Sequence, residues 1–260
     1  MTAQEALKTY FGYDSFRPGQ DTVVSALLSG RDALAIMPTG AGKSLCYQIP
    51  ALLLPGLTLV ISPLISLMQD QVKGLSAAGI PAAYINSALT ENQIAKALQL
   101  AAQGSYKIIY VAPERLESPT FQSFAAAAEI SMLTVDEAHC ISQWGQDFRP
   151  SYLRSLDFID SLPRRPIVSA FTATATREVK DDIAQTLRLR DPEIVITGFD
   201  APTSTTGSRP PAARTPLWRT MCAATPARAA SSTAPPAKTS MPCRKCCEAR
   251  TFPPPATTRA

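Results

Sequence analysis

From residue 32 onward, short aliphatic and β-branched runs alternate with stretches patterned for helix, and this alternation restricts the fold more than any other feature of the chain. The runs at 33–37, 57–61, 81–85, 107–111, 131–135, 166–171 and 194–196 read as strands. Stretches 43–53, 64–78, 90–103, 151–161 and 177–187 read as helices. The strands are apolar on both faces, so neither face can meet water, and strands joined through helices run parallel. The expected fold is therefore α/β, a mostly parallel sheet with helices on both faces and no internal repeat. Sheets of this kind bind ligands at the carboxyl ends of their strands, and the chemistry-bearing motifs fall at those ends.

Charge divides the chain near residue 200. Residues 1–200 carry 16 Lys and Arg against 20 Asp and Glu, whereas residues 201–260 carry 9 against 1. The second region also holds 11 of the 23 prolines and only Leu217 and Phe252 from the Leu, Ile, Val and Phe set, too little apolar surface for a core. The expected organisation is a folded domain over 1–200 and a disordered tail over 201–260. The most apolar stretch, 51–67, is broken by Pro55, Gly56 and Pro63, which argues against a membrane span. Residues 3–11 include Glu5 and Lys8 and lack the layout of an export signal, so a cytoplasmic location is expected. Cys46 and Cys140, the two cysteines of the first region, read as buried thiols rather than a disulfide.

The first predicted strand runs into MPTGAGKS at 37–44. Gly40 and Gly42 allow the backbone to curl so that successive N–H groups face inward, and the following helix adds partial positive charge where phosphates would sit. Lys43 would hold the β and γ phosphates, with the Ser44 hydroxyl on Mg²⁺ and Thr39, Gly40, Ala41 and Gly42 lining the cradle. A ligand-free glycine turn is the bland alternative. The usual pattern begins with Gly where this chain has Met37. The strand at 131–135 ends in DEAH, and a carboxylate pair there can hold Mg²⁺ through Asp136 and activate water through Glu137. A solvated acidic turn is the alternative. His139, the sole histidine, suits either a structural hydrogen bond or a coupling role.

Read together, FRPGQ at 16–20, MPTGAGKS at 37–44, SPLISLMQDQV at 62–72, APERL at 112–116, DEAHCISQWGQDFRP at 136–150 and TATAT at 172–176 resemble the first lobe of the RecQ family of DNA helicases. The resemblance covers nearly all of 1–200. It implies a RecA-like, superfamily 2 motor lobe that couples hydrolysis of ATP with Mg²⁺ to 3′-to-5′ movement on single-stranded and partly duplex DNA, with a place in DNA repair and recombination. Carried over by position, it implies that Tyr13, Arg17 and Gln20 frame the adenine, and Gln20 suits that task because an amide donates and accepts at once. It implies that the loop at 142–150 senses DNA through Trp144, Phe148 and Arg149, and that Thr172 and Thr174 bridge the nucleotide and DNA states. Core packing of the two aromatics is the alternative. Gln146 stands where the family often has His. With a balance of −4 over the first region, DNA contacts must be local, and the helix start near Leu64, after Ser62 and Pro63, is one candidate phosphate site.

The resemblance stops at Asp200. The family continues with a motif like F-D-R-P-N, but here Ala201 to Thr205 read APTST. Removing the first base of CGC CCC AAC CTC TAC, which encodes Arg-Pro-Asn-Leu-Tyr, yields that same APTST, so a one-base frameshift at codon 201 is expected, a native low-complexity linker being the rival. The CxxC spacing within 243–247 is then accidental. The family's second lobe supplies arginines to the γ-phosphate, so the polypeptide as written is expected to hydrolyse ATP very slowly and to unwind nothing. A stand-alone nucleotide-dependent DNA or partner clamp is the competing reading.

Overall fold

The computed structural model describes residues 1–145 and 147–198. Seven strands form one sheet: β1 (Ala33–Ile36), β2 (Leu57–Ile61), β3 (Ala82–Ile85), β4 (Ile108–Val111), β5 (Ile130–Val135), β6 (Ile167–Thr172) and β7 (Glu193–Ile196). Their order is β3-β4-β2-β5-β6-β1-β7, and every pairing is parallel. The strands match the expected runs to within one or two residues. The Gln146 departure, the tail beyond 200 and its CxxC spacing lie outside the described residues.

Eight α-helices connect or flank these strands: α1 (Ala3–Phe11), α2 (Gln20–Leu28), α3 (Lys43–Leu53), α4 (Ile65–Ala77), α5 (Glu91–Ala102), α6 (Pro119–Ala127), α7 (Pro150–Ser161) and α8 (Arg177–Thr186). Three of them, α1, α2 and α6, fall outside the predicted set. Each is nine residues long, too short for a sustained apolar period, and is defined by local signals instead. A reciprocal Thr2 and Glu5 capping box starts α1, and Pro119 occupies the first turn of α6.

The two-residue alternation along each strand separates two apolar layers. Leu59, Ile61, Ile109, Val111, Leu133 and Val135 point to one face, where Ile94, Phe121, Phe158 and Ile183 of α5 to α8 cover them. Val60, Ile108, Tyr110, Met132 and Phe171 point to the other, against Val23, Tyr47 and Met68 of α2, α3 and α4. Cys46 and Cys140 are both buried free thiols.

At the amino-terminal edge of the sheet, one buried carboxylate ties three elements together. Asp32, 3% exposed, accepts Arg165 Nη2 at 2.7 Å, the Val168 N–H at 2.8 Å and the Arg190 N–H at 2.7 Å. It therefore locks the entry to β1 against β6 and the loop before β7. Asp32→Ala strands a guanidinium that is only partly open to water and two backbone donors, and it should lower the unfolding free energy by about 3–5 kcal/mol. Urea denaturation at neutral pH measures that loss.

Candidate functional site

Strand order decides which loops meet. β6 lies between β1 and β5, so the segments leaving β1, β6 and β5 emerge side by side at the carboxyl edge, the outer two separated by two strand spacings, roughly 10 Å. The ladder continues past the strands: the Met37 N–H donates to Thr172 O at 3.0 Å, and the Asp136 N–H donates to Ile61 O at 2.8 Å. MPTGAGKS, TATAT and DEAH consequently share one edge.

The loop after β1 turns twice through left-handed backbone, at Gly40 (φ 84°) and Gly42 (φ 81°), a conformation that side-chain-bearing residues rarely adopt. Gly42 is also the residue before α3, and no side chain caps that helix start, so its first N–H groups remain available to a ligand. The outward carbonyls are held by residues far upstream. Arg17 Nη1 donates to Gly40 O at 2.5 Å, and Gln20 Nε2 donates to Ala41 O at 2.9 Å and Gly42 O at 3.2 Å. Gln20 Oε1 in turn accepts the Arg17 N–H at 2.9 Å. Three consecutive carbonyls are thus held by Arg17 and Gln20, and the Ala41 N–H is donated within the loop to Pro38 O at 3.1 Å. The Lys43 ammonium bonds to Met37 O at 3.1 Å, across the mouth of the same loop, while Ser44 follows in the first turn of α3 and Thr39 is exposed.

This differs in one respect from what the sequence suggested for Gln20. Both N–H donors of its buried amide are committed to the loop carbonyls and its oxygen accepts from Arg17, so in this geometry it braces the glycine loop. Tyr13 stands half exposed beside this region of the chain.

Beyond β5, Asp136 is 7% exposed, and burial raises its carboxyl from the usual 3.8 to about 6. The neighbouring Glu137 charge adds to the rise; the Glu137 N–H, at 3.0 Å from Oδ1, and the Lys43 ammonium oppose it. The loop after β1 and the carboxylate after β5 leave the same sheet edge on either side of β6. Glu137 itself adopts a left-handed backbone (φ 50°, ψ 46°), costing roughly 1–2 kcal/mol for a residue with a Cβ. A 3-10 turn over Ala138–Ile141 follows, anchored by the Cys140 N–H on Glu137 O at 2.9 Å.

His139 sits between DEAH and TATAT. Its Nδ1 lies 3.0 Å from Thr172 Oγ1 and 3.3 Å from a Glu137 carboxylate oxygen. Thr172 Oγ1 donates to Thr174 O at 3.0 Å, which leaves its lone pairs to accept from His139; the tautomer carrying hydrogen on Nδ1 satisfies every contact. Thr172 is fully buried and acts through its hydroxyl. Thr174 is exposed and contributes its backbone carbonyl, so its side chain is not the bridging group.

The loop 142–149 closes on itself through the Arg149 N–H on Cys140 O at 2.9 Å, and any Cβ at Gly145 would collide with the carbonyls of His139 and Ser142. Trp144 is 78% exposed, which removes a core role for it, whereas Phe148 is half-buried. Arg149 does not reach the phosphate loop. Its Nη2 pairs with Asp147 at 2.8 Å, and Nη1 donates to Pro63 O at 3.3 Å, one residue before the uncapped start of α4. Sequence reasoning missed Asp147 as that partner, and it missed Tyr152, which is buried in α7 and donates to Asp136 O at 3.2 Å. Among the described residues no helix is long and apolar enough to cross a membrane, and no cluster of three or more His, Cys, Asp or Glu is arranged to hold a metal.

The raised Asp136 carboxyl has a definite sign for stability. The folded chain binds that proton more tightly than the unfolded chain, so its contribution is fully present below about pH 4 and is lost as pH rises through about 6. Above pH 6 the buried charge costs on the order of 3 kcal/mol. Asp136→Asn should therefore raise the denaturation midpoint at pH 8, and the gain should shrink toward zero at pH 4; thermal or urea unfolding at the two pH values checks it.

The geometry agrees with known proteins. The DEAD/DEAH box helicase family profile matches residues 17–182. The chain is 50% identical over 198 residues to the ATP-dependent DNA helicase RecQ of Bacillus subtilis, covering 76% of this chain and 34% of that protein. It is 48% identical over 202 residues to the RecQ protein of Pasteurella multocida, covering 78% and 32%, and 42% identical over 199 residues to the mouse bifunctional 3'-5' exonuclease/ATP-dependent helicase WRN, covering 75% and 14%. The chain thus spans about a third of the length of the two RecQ relatives. Among solved structures, the helicase MrfA bound to DNA superposes with a TM-score of 0.61 at 18% identity over 75% of this chain and 29% of that one, a likeness of fold. By its matched profile, and by a sheet that gathers these motifs at one edge, the chain belongs to the DEAD/DEAH box helicase family.

Proposed function

We propose that residues 1–198 form the ATP-binding motor lobe of a RecQ-type DNA helicase, one that couples hydrolysis of ATP with Mg²⁺ to 3′-to-5′ movement on single-stranded DNA. The observation that carries this reading is the delivery of the Lys43 loop and the Asp136 and Glu137 pair to one sheet edge, on either side of β6. In this reading the loop N–H groups and Lys43 bind the phosphates, and Tyr13 and Arg17 lie toward the base. Gln20 holds the cradle, and it would meet the adenine edge only by exchanging a loop carbonyl for it.

The donor set suits Mg²⁺. Ser44 and Asp136 offer hard oxygen donors with few protein ligands, as expected for an ion that keeps waters and shares phosphate oxygens. Bound there, Mg²⁺ would neutralise charge on the phosphates. Glu137, turned off the strand by its left-handed backbone, orients and deprotonates the attacking water, and His139 passes its position to Thr172. On the same face, Trp144 offers a stacking surface for unpaired bases, and the start of α4 offers N–H groups to backbone phosphate. This side of the lobe is where single strands, or the single-stranded arm of a partly duplex DNA, would lie.

Two measurements test the reading. Lys43→Ala removes charge-assisted phosphate contacts worth about 1.5–3 kcal/mol and should weaken binding of a fluorescent ATP analogue with Mg²⁺ by about 10- to 100-fold. Glu137→Gln should bind the analogue normally while slowing hydrolysis by about 10²- to 10⁴-fold. Normal analogue binding by Lys43→Ala rejects the proposal. Separately, Trp144→Ala should cost about 1–3 kcal/mol in affinity for an oligo-dT strand, read by fluorescence anisotropy, with nucleotide affinity unchanged.

A further inference from the structure

The peptide linking Asp136 to Glu137 is gripped at both of its polar atoms. Its N–H donates to Asp136 Oδ1 at 3.0 Å, and its carbonyl oxygen, Asp136 O, accepts from Tyr152 Oη at 3.2 Å. On its strand side the segment is fixed by the Asp136 N–H on Ile61 O at 2.8 Å, and on its far side by the Cys140 N–H on Glu137 O at 2.9 Å. A peptide plane held this way has little freedom to rotate. Its orientation sets where the left-handed Glu137 (φ 50°) aims its carboxylate. Of the four contacts, three are made by the segment itself or by the neighbouring strand. Only the Tyr152 contact comes from an element that lies beyond the 142–149 loop.

Tyr152 is fully buried, one turn into α7, and its N–H donates to Arg149 O at 2.9 Å. The residue that closes the exposed loop is thus bonded to the residue that braces the carboxylate peptide. Burial also pushes the phenol far above its ordinary value, so it remains a donor at every working pH. Ser155, one turn further along the same helix, is also buried, and its hydroxyl makes no hydrogen bond to the carboxylate peptide or to any other described residue.

We propose that Tyr152 is a positioning residue for the carboxylate pair: its hydroxyl fixes the 136–137 peptide plane and transmits displacement of the 142–149 loop to Glu137. The proposal rests on the function argued above, in which that loop meets DNA and Glu137 orients water. The O–H bond to Asp136 O is the mechanical element. When the start of α7 moves with the loop, the bond turns the peptide, and with it the Glu137 backbone.

Tyr152→Phe removes one oxygen and keeps the packing. Four measurements are made on the whole chain: affinity for a fluorescent ATP analogue with Mg²⁺, affinity for labelled oligo-dT, single-turnover ATP hydrolysis with and without oligo-dT, and hydrogen exchange of the segment 134–141. In the variant both affinities should stay within about twofold of the unchanged chain, hydrolysis should fall by about tenfold, and the segment should exchange about tenfold faster and no longer respond to oligo-dT. Ser155→Ala, which perturbs the same helix away from the peptide, should leave hydrolysis and exchange of 134–141 unaltered. Exchange in Tyr152→Phe that still responds to oligo-dT as in the unchanged chain overturns the proposal, as does an equal slowing in Ser155→Ala, which would reduce Tyr152 to helix packing. Failure of the underlying function reads differently. An unchanged chain that binds neither analogue nor oligo-dT rejects the motor-lobe reading itself, and the inference with it, before any variant is compared.

Discussion

The insertion of β6 between β1 and β5 is the constraint from which the rest of the site follows. Parallel strands must be joined by crossovers, so residues far apart in sequence are delivered to one edge without any of them contributing to the pairing that brings them there. Met37 and Thr172 are 135 positions apart, yet they share a backbone hydrogen bond that continues the ladder past the ends of β1 and β6. Because the ladder runs on in this way, the loops leave the sheet at fixed angles. The glycine loop, the His139–Thr172 contact and the carboxylate peptide inherit their precision from the sheet.

Around that edge the molecule is locally unfavourable and globally secure. Asp136 is buried beside a second carboxylate, and Glu137 holds a backbone angle suited to glycine. Each costs stability that a different arrangement would recover. At the opposite edge, Asp32 accepts four hydrogen bonds, two of them from Arg165, and joins β1 to β6 and to the approach to β7. A scaffold closed so firmly at one end can tolerate strain at the other, where the proposed chemistry would need charge in a low-dielectric place and a carboxylate turned off its strand.

Much of this was legible in the sequence because it depends on periodicity and on residues with unique backbone demands. The two-sided apolar runs marked parallel strands, buried on both faces in the middle of the sheet though not at its edge, where Ile194 and Ile196 of β7 are exposed, and Gly40 and Gly42 before Lys43 marked a left-handed turn entering a helix. What the sequence concealed was how polar groups pair across long separations. Nothing about Gln20 distinguishes an amide that meets a base from one that ties down Ala41 and Gly42, because both uses need the same donor and acceptor. Arg149 looked free to meet phosphate, but its partner Asp147 lies only two residues away in a loop, where no helical or strand spacing announces a contact. The short helices α1, α2 and α6 were hidden for a different reason: nine residues are too few for a sustained apolar period, and only α1 carries a side-chain cap.

In the motor-lobe reading proposed above, the Arg149 pairing bears on how a lobe with more acid than base would engage DNA. Long-range attraction cannot gather the strand, so the cations that meet phosphate must be released where the strand already lies. Asp147 is exposed and is held below the ordinary carboxylate range by hydrogen bonding to Arg149, so the pair sits in water and exchanges readily. Arg149 also touches Pro63 O, beside the open start of α4. A phosphate arriving at that helix start would therefore compete with Asp147 for a guanidinium already within reach, and the exchange needs no unfolding or large swing of the side chain. The Arg149 N–H closes the loop on Cys140 O while Arg149 O accepts the N–H of Tyr152, so the residue whose guanidinium would change partner is bonded through its backbone to the residue that braces the carboxylate peptide.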